Sequence, residues 1–263
     1  MSFETELTVA VKASEAAGKL LMKWFQQPTL TSEWKGRIDP VTIADKQSEK
    51  VIIDTIRAHF PDAIIVSEES NPFAEVEVIN KRRWYIDPLD GTVNFIRGFS
   101  HWCVAIAFVE ENNETVCSAV YAPCSNELYT AIQGEGAWCN GERLTVGNNT
   151  ELHRSVVASG FPYSFEDPAT SNLVEWARIT PQVLTVRSLG AAAKDICEVA
   201  GGRIDIFWEQ GLERWDITAS ALICREAGAK VTDRNGKELT GPGTSIIVAN
   251  PVLHEKVRAL LSK

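Results

Sequence analysis

Apolar residues recur at helical spacing from residue 4 to residue 25, where Leu7, Ala10, Val11, Ala17, Leu21, Met22 and Phe25 would share a face. Pro28 helps to end that segment. The polar stretch 29–42, with Gly36 and Pro40, predicts a loop or short hairpin. Helical spacing returns from about Ala44 to Phe60, with Val51, Ile52, Thr55, Ile56 and Phe60 as its apolar face and Pro61 as its stop. "AIIVSEES" then begins as a strand and ends in carboxylates, and "RWYIDP" is another short strand.

From 101 to 132 the period changes. "WCVAIAFVE", "TVCSAVYAP" and "ELYTAIQ" read as strands separated by "NN" and "CSN", which are good turn material. "GEGAWCNGERL" reads as a hairpin with Asn140-Gly141 at its turn. The second half offers strands at 155–159, 183–187 and 203–208 and helices at 170–179, 190–200 and 216–227, with Gly201-Gly202 and Gly228 at helix ends. "TSIIVAN" is a late strand. Asn250 caps a last helix with Pro251 in its first turn and Leu253, Val257 and Leu260 facing inward. Serial strands of this kind predict an antiparallel or mixed sheet. Without repeats, low-complexity tracts or a long linker, the chain reads as one interleaved α/β domain, 1–263. Two intimately packed subdomains, about 1–145 and 146–263, would flank one cleft.

Composition narrows the function. The chain has 263 residues, 44% of them hydrophobic, and a net charge of −9 spread along its length. That balance argues against a nucleic-acid scaffold, which needs a basic footprint, and leaves phosphorylated small molecules open because bound cations invert local charge. No 18-residue apolar run is present, and the opening "MSFETELTVAVKASEAAGKL" makes a poor signal peptide. Cys103, Cys117, Cys124, Cys139, Cys197 and Cys224 form no CxxC pair and read as reduced, mostly buried thiols. The expectation is a cytoplasmic protein whose partner is a small phosphorylated metabolite, with no nucleic-acid polymer and no membrane.

The chemistry lies in four acidic stretches: "TIAD" at 42–45, "SEES" at 67–70, "DPLDGT" at 87–92 and "WD" at 215–216, each at an edge between predicted elements. Pro88 restricts the turn between Asp87 and Asp90, and Gly91 permits a close backbone approach. Aspartates that cap turns are common, but that reading must also cover Asp45, Glu68 and Asp216 and becomes less economical each time. A hard divalent cation such as Mg²⁺, which takes oxygen ligands, explains the set better. Zinc is disfavoured, because His59, His101, His153 and His254 lack HExxH spacing. His59 reads as a helix-end residue, His254 as a surface residue of the last helix and His101 as structural. Walker, dinucleotide and GxSxG patterns are absent.

These four motifs, in this order, resemble the inositol monophosphatase family of Mg²⁺-dependent, lithium-sensitive phosphatases. The strongest marks are "WYIDPLDGTVNF" and "WDITASALICREAGAKVTD", with "PVTIAD" and "SEES" before them, and the resemblance spans nearly the whole chain. It implies a layered αβαβα sandwich, commonly a homodimer, with two or three Mg²⁺ per active site. It implies that Glu68, Asp87 and the Leu89 carbonyl hold a first metal and that Asp87, Asp90 and Asp216 surround a second. Glu68 would also approach a third, weaker ion through water. Asp45 and Thr92 would orient or deprotonate the attacking water, and the N–H groups of Gly91 and Thr92 would meet phosphate oxygens. "ASGFPY" at 158–163 resembles a loop lining the active site of bacterial members. Gly190, Ala192 and Glu209 would contact the substrate's polyol, and Asp90 and Asp216 would also bind the substrate.

The resemblance therefore implies hydrolysis of a small phosphate monoester, foremost myo-inositol monophosphate. Departures bear on the substrate rather than on the metals. A lysine that precedes the first acidic motif in animal members has no secure counterpart at Lys35, where the loop length differs, and the position near Glu213 varies within the family. Related members act on histidinol phosphate, fructose 1,6-bisphosphate or phosphoadenosine substrates, and a non-catalytic phosphometabolite sensor is the reading outside the enzyme class.

Overall fold

The helical period predicts the first two helices, and both form: α1 (Glu4–Trp24) and α2 (Ile43–His59). Between them, β1 (Ser32–Trp34) and β2 (Pro40–Thr42) pair antiparallel. The computed structural model describes residues 2–27, 32–34, 40–70, 78, 80–162, 171–239 and 244–262, so Lys35, Gly36 and Tyr163 lie outside the described residues. The chain continues through β3 (Ile65–Ser67), β4 (Arg83–Asp90), the short α3 (Thr92–Arg97), β5 (Cys103–Val109), β6 (Thr115–Ala122), β7 (Glu127–Ile132), β8 (Gly136–Cys139) and β9 (Glu142–Arg143). β3 to β9 form one sheet in sequence order, parallel only between β3 and β4. Asn140 and Gly141 both take positive φ, 51° and 83°, as the two-residue hairpin between β8 and β9 requires.

A second, mixed sheet has the order β11-β10-β12-β14-β13. Its strands are β10 (Val156–Ala158), β11 (Thr185–Arg187), β12 (Ile206–Leu212), β13 (Lys230–Thr232) and β14 (Thr244–Ala249). They are interleaved with α4 (Leu173–Ile179), α5 (Ala192–Ala200), α6 (Arg214–Glu226) and the closing α7 (Pro251–Leu261). Asn250 caps α7, its side-chain oxygen accepting from the N–H groups of Val252 and Leu253. α3 and β13 carry no readable period because they span only six and three residues.

Strand alternation decides the layers. On β5, Val104, Ile106 and Phe108 pack with α1 and α2, while Cys103, Ala105 and Ala107 face α5 and α6. The small residues on that second face let the central helices approach the sheet closely. Phe207, Ile246 and Val248 of the second sheet close over the same two helices, and its opposite face, with Ile206, Trp208 and Ile247, packs on Leu253, Val257 and Leu261 of α7. The result is an αβαβα sandwich. The six cysteines are free, four of them buried. Among the described residues no helix is long and apolar enough to cross a membrane.

The last helix corrects one expectation. His254 is not a surface residue; it is fully buried, with Nε2 2.9 Å from the Thr232 hydroxyl. The unforeseen strand β13 brings that hydroxyl against α7.

Candidate active site

Pro88 has no N–H to give the ladder, and the β4–β5 pairing shifts there. Asp87 pairs with Ala105 and Asp90 with Cys103, so three steps on one strand match two on the other. The bulge breaks the alternation between the two aspartates. A similar shift on β12 sets Glu209 opposite Ile246 and Leu212 opposite Thr244, with Gly211 at φ 79°. Both irregular strand ends carry carboxylates that the motifs single out.

Four helix starts meet these strand ends. Thr42 caps α2 through a reciprocal box: its hydroxyl accepts from Ala44 N–H, while Asp45 Oδ2 accepts from the Thr42 N–H at 2.9 Å and its hydroxyl at 2.6 Å. Asp45 Oδ1 accepts from the Thr92 hydroxyl at 3.0 Å, which ties α2 to the start of α3. The same hydroxyl lies 3.1 Å from the Leu89 carbonyl. Asp87 Oδ1 accepts from Leu89 N–H at 3.0 Å. Asp90 reaches across to α5, where its oxygens accept from Ala192 N–H at 3.0 Å and Lys194 N–H at 3.2 Å, and the Cys103 thiol donates at 3.4 Å. Asp216 lies in the first turn of α6 and accepts from Glu213 N–H at 2.8 Å. Helix N-termini carry partial positive charge and suit bound anions.

Glu68 occupies the turn after β3 and is half-buried. Its neighbours Ser67 and Ser70 are pinned by Glu49 of α2, whose Oε1 accepts from both hydroxyls and from Ser70 N–H. Gly91, at φ 93°, admits no side chain: a Cβ there would stand 3.1 Å from the His101 carbonyl oxygen and 3.1 Å from Ala191 Cβ. Glu209 is buried, and Gly160 packs flat against its carboxylate. Gly190 and Ala192 frame the entry to α5, which places them beside Asp90.

The electrostatics bind these acids into one group. Burial raises Asp87 well above the usual carboxylate range, and Glu68, Asp90 and Asp216 push it further. Burial lifts Asp90 to about 6, reinforced by Asp195 and opposed by the Lys194 N–H, the Cys103 thiol and His101. Burial also raises Asp216, with Glu68 and Asp90 adding to it, and Glu209, with Asp195, Asp216 and Asp90 adding to it. Asp45 is raised by burial, against its bonds from Thr42 and Thr92. Among the described residues no three His, Cys, Asp or Glu side chains already form a closed metal-holding group. The donor set nevertheless fits a hard divalent cation: it is all oxygen, and a cation would offset the mutual repulsion that disfavours its ionised form.

Several participants in the site are not among the candidate residues that the motifs single out. Thr42 is legible from the capping spacing in "TIAD". Asn94 sits inside the strongest motif, yet its bonds run to residues nearly a hundred positions away. Asp195, bonded to His101 Nε2 at 2.6 Å, and buried Lys194, paired with Glu127 and Glu198, could not be placed by spacing alone.

The sequence model of the inositol monophosphatase family matches residues 3–263. The Nus factor SuhB of Escherichia coli (strain K12) is 40% identical over 261 residues, covering 97% of this chain and 94% of that protein. The extragenic suppressor protein suhB of Bartonella henselae superposes with a TM-score of 0.90 at 33% identity, over 98% of this chain and 99% of that one. An inositol monophosphatase from Anabaena (Nostoc) sp. PCC 7120 gives a TM-score of 0.88 at 32% identity, over 100% and 97%. The name Nus factor links the curated relatives to transcription-associated complexes and overturns the expectation of no nucleic-acid partner. A net charge of −9 argues against a broad basic footprint; it does not exclude joining an assembly whose other chains hold the nucleic acid.

Proposed function

Because the chain belongs to the inositol monophosphatase family, we infer that it hydrolyses myo-inositol monophosphate to inositol and phosphate. Mg²⁺-dependent phosphomonoesterase activity is supported at the level of the family. The observation that carries the reading is the mutually repelling set of buried Asp87, Asp90 and Asp216 with half-buried Glu68 beside them, where the helix starts meet.

In this reading Glu68, Asp87 and the Leu89 carbonyl hold one Mg²⁺, and Asp87, Asp90 and Asp216 hold a second, with Glu68 near a weaker third. Bound Mg²⁺ supplies the positive charge that acidifies water and offsets charge on the phosphate. The chain's own part begins at Asp45. Its Oδ2 is fixed by two donors from Thr42, which leaves Oδ1 for Thr92. The Thr92 hydroxyl has one proton and two acceptors, Asp45 Oδ1 and the Leu89 oxygen. With the Leu89 oxygen engaged elsewhere, that proton turns to Asp45. Thr92 Oγ then accepts from the attacking water while passing its own proton to Asp45 Oδ1, whose raised basicity favours the transfer. As the water oxygen bonds to phosphorus the ester P–O bond breaks, and the leaving inositol oxygen takes a proton from solvent water. Gly91 and Thr92 offer N–H groups to phosphate oxygens. Gly190, Ala192 and Glu209 face the polyol. There the positive charge of bound cations offsets the acids that push Glu209 up and favours its ionised, accepting form.

The reaction class is tested by phosphate release from inositol 1-phosphate in Mg²⁺ and in EDTA, and inactivity across a broad panel of phosphate monoesters would overturn it. Comparing kcat/KM with histidinol phosphate, fructose 1,6-bisphosphate and phosphoadenosine phosphate tests the substrate. Cytoplasmic location, a homodimer and inhibition by lithium belong to the same reading. The curated relatives' name favours a second role in a transcription-associated assembly. Sedimentation of an inactive Asp90→Asn chain with purified transcription complexes would separate that role from catalysis.

A further inference from the structure

Asn94 stands four residues after Asp90, in the middle of α3. Its side-chain amide donates to two segments at once: to the His101 carbonyl at 2.7 Å and, in the loop ahead of α5, to the Leu189 carbonyl, also at 2.7 Å. The Gly190 carbonyl lies 3.3 Å away. An amide nitrogen has two hydrogens, so the two short contacts use both. Gly190 takes φ 82°, and a Cβ there would stand 3.2 Å from Asn94 Nδ2. Glycine lets the loop turn tightly over the amide.

These bonds close a ring through the centre of the site. Asp90 leads along the backbone through Gly91, Thr92 and Val93 to Asn94. Asn94 holds Leu189, and from there the chain runs through Gly190 and Ala191 to Ala192, whose N–H returns to Asp90 Oδ1. One half of the ring comes from the β4–α3 corner and the other from the loop into α5. The Asp90 carboxylate is therefore oriented from both sides, and Asn94 is the side chain that sets the distance between them. Asp195, in the first turn of α5, adds a separate tie to His101, whose carbonyl also accepts from Asn94.

We propose that Asn94 is a positioning residue that holds the start of α5 against Asp90, coupling the orientation of a metal-ligating carboxylate to the placement of the polyol-facing Gly190 and Ala192. The inference rests on the metal-dependent phosphatase reading. Asn94 is outside the proposed metal and substrate contacts; it acts through two backbone carbonyls. A group that orients a ligand in this way is expected to change metal affinity roughly 10-fold when removed.

The test is Mg²⁺ binding to the full chain by isothermal titration calorimetry, in the wild type, Asn94→Asp and Asn94→Ala, beside steady-state kinetics and melting curves. Asn94→Asp keeps the shape but turns both donors into acceptors facing carbonyls. Asn94→Ala removes both donors and adds no charge. Both variants should bind Mg²⁺ roughly 10-fold more weakly, measured without substrate. At saturating Mg²⁺, inositol 1-phosphate should still lose more kcat/KM than an aryl phosphate. A folded variant with wild-type Mg²⁺ affinity would overturn the proposal. So would loss of folding in both, which would assign Asn94 to the fold instead. If the wild type binds Mg²⁺ but hydrolyses no phosphate ester, the phosphatase reading has failed while the positioning result stands on calorimetry alone.

Discussion

In the proposed reading, substituting Gly160 with alanine should damage substrate recognition and leave Mg²⁺ affinity unchanged. A Cβ at residue 160 would stand 2.5 Å from both carboxylate oxygens of Glu209, against 3.4 Å for ordinary contact, so that carboxylate must retreat by about 0.9 Å. Glu209 is buried at a bulge with Asp195, Asp216 and Asp90 all electrostatically close, and the Gly160 N–H stabilises its charged form. Retreat therefore moves the acceptor and weakens its hydrogen bond together. A displacement near 1 Å costs about 10²-fold in a positioned reaction, or ~2.7 kcal/mol of transition-state stabilisation. The assay is kcat/KM at saturating Mg²⁺ for inositol 1-phosphate and for p-nitrophenyl phosphate, in the wild type, Gly160→Ala, Glu209→Gln and the double variant, with melting curves as the fold control. Inositol phosphate should lose about 10²-fold in Gly160→Ala and the aryl phosphate little. The double variant should lose hardly more than Glu209→Gln, because both changes act through one carboxylate. Equal losses on the two substrates, or fully additive losses, would refute the reasoning.

Asp90→Asn keeps the volume but replaces an oxygen acceptor with a donor opposite the Ala192 or Lys194 N–H; turnover should slow by about 10²-fold or more, with weaker Mg²⁺ dependence, and near wild-type activity at limiting Mg²⁺ would contradict it. Thr42→Ala removes the cap of α2 and two hydrogen bonds involving its hydroxyl, which should cost about 1–2 kcal/mol in urea unfolding and slow turnover by loosening Asp45; a loss of stability with kcat unchanged would separate Asp45's orientation from turnover. The metal-free protein should lose stability at both ends of a pH series. Burial depresses His254 from 6.5 to about 4, so the unfolded chain binds the extra proton between those values and up to about 3 kcal/mol is lost as pH falls through them. Asp90, raised to about 6, binds its proton more tightly when folded, so its contribution is lost as pH rises from about 4 through 6. Mg²⁺ should then raise the melting temperature more at pH 8 than at pH 5; His254→Gln should flatten the acid limb alone, and an unchanged limb would reject that assignment.

Much of the architecture is local information. α1 and α2 follow from apolar spacing and their stops, β5 to β8 from alternation and turn residues, and α7 from Asn250 and Pro251. The buried seam of α7 is set by Leu253 and Val257 together with Leu261, and the Leu260 that spacing suggests packs partly buried against the same cluster. Elements shorter than their own period are illegible. α3 spans too few residues to show a helical repeat, and the three residues of β13 acquire meaning only when β14 pairs with them. Without β13, His254 is misplaced, because a histidine on a helix is buried or exposed according to what packs opposite it.

The acidic motifs announce their chemistry through residue type and spacing, and Pro88 and Gly91 show their local reasons in a bulge and a positive φ. What the sequence by itself determined was therefore the inventory: which carboxylates exist, which strand end or helix start carries each, and that the set suits a hard cation. The tertiary structure decided their company. Asp90 meets Ala192 and Lys194 about a hundred residues away, Asn94 meets Leu189, Glu209 meets Gly160, and Asp195 meets His101. None of these pairs shares a local period. Hydrogen bonds and desolvation act over a few ångströms in space, and only packing α5 and α6 between the two sheets brings such distant positions within that range.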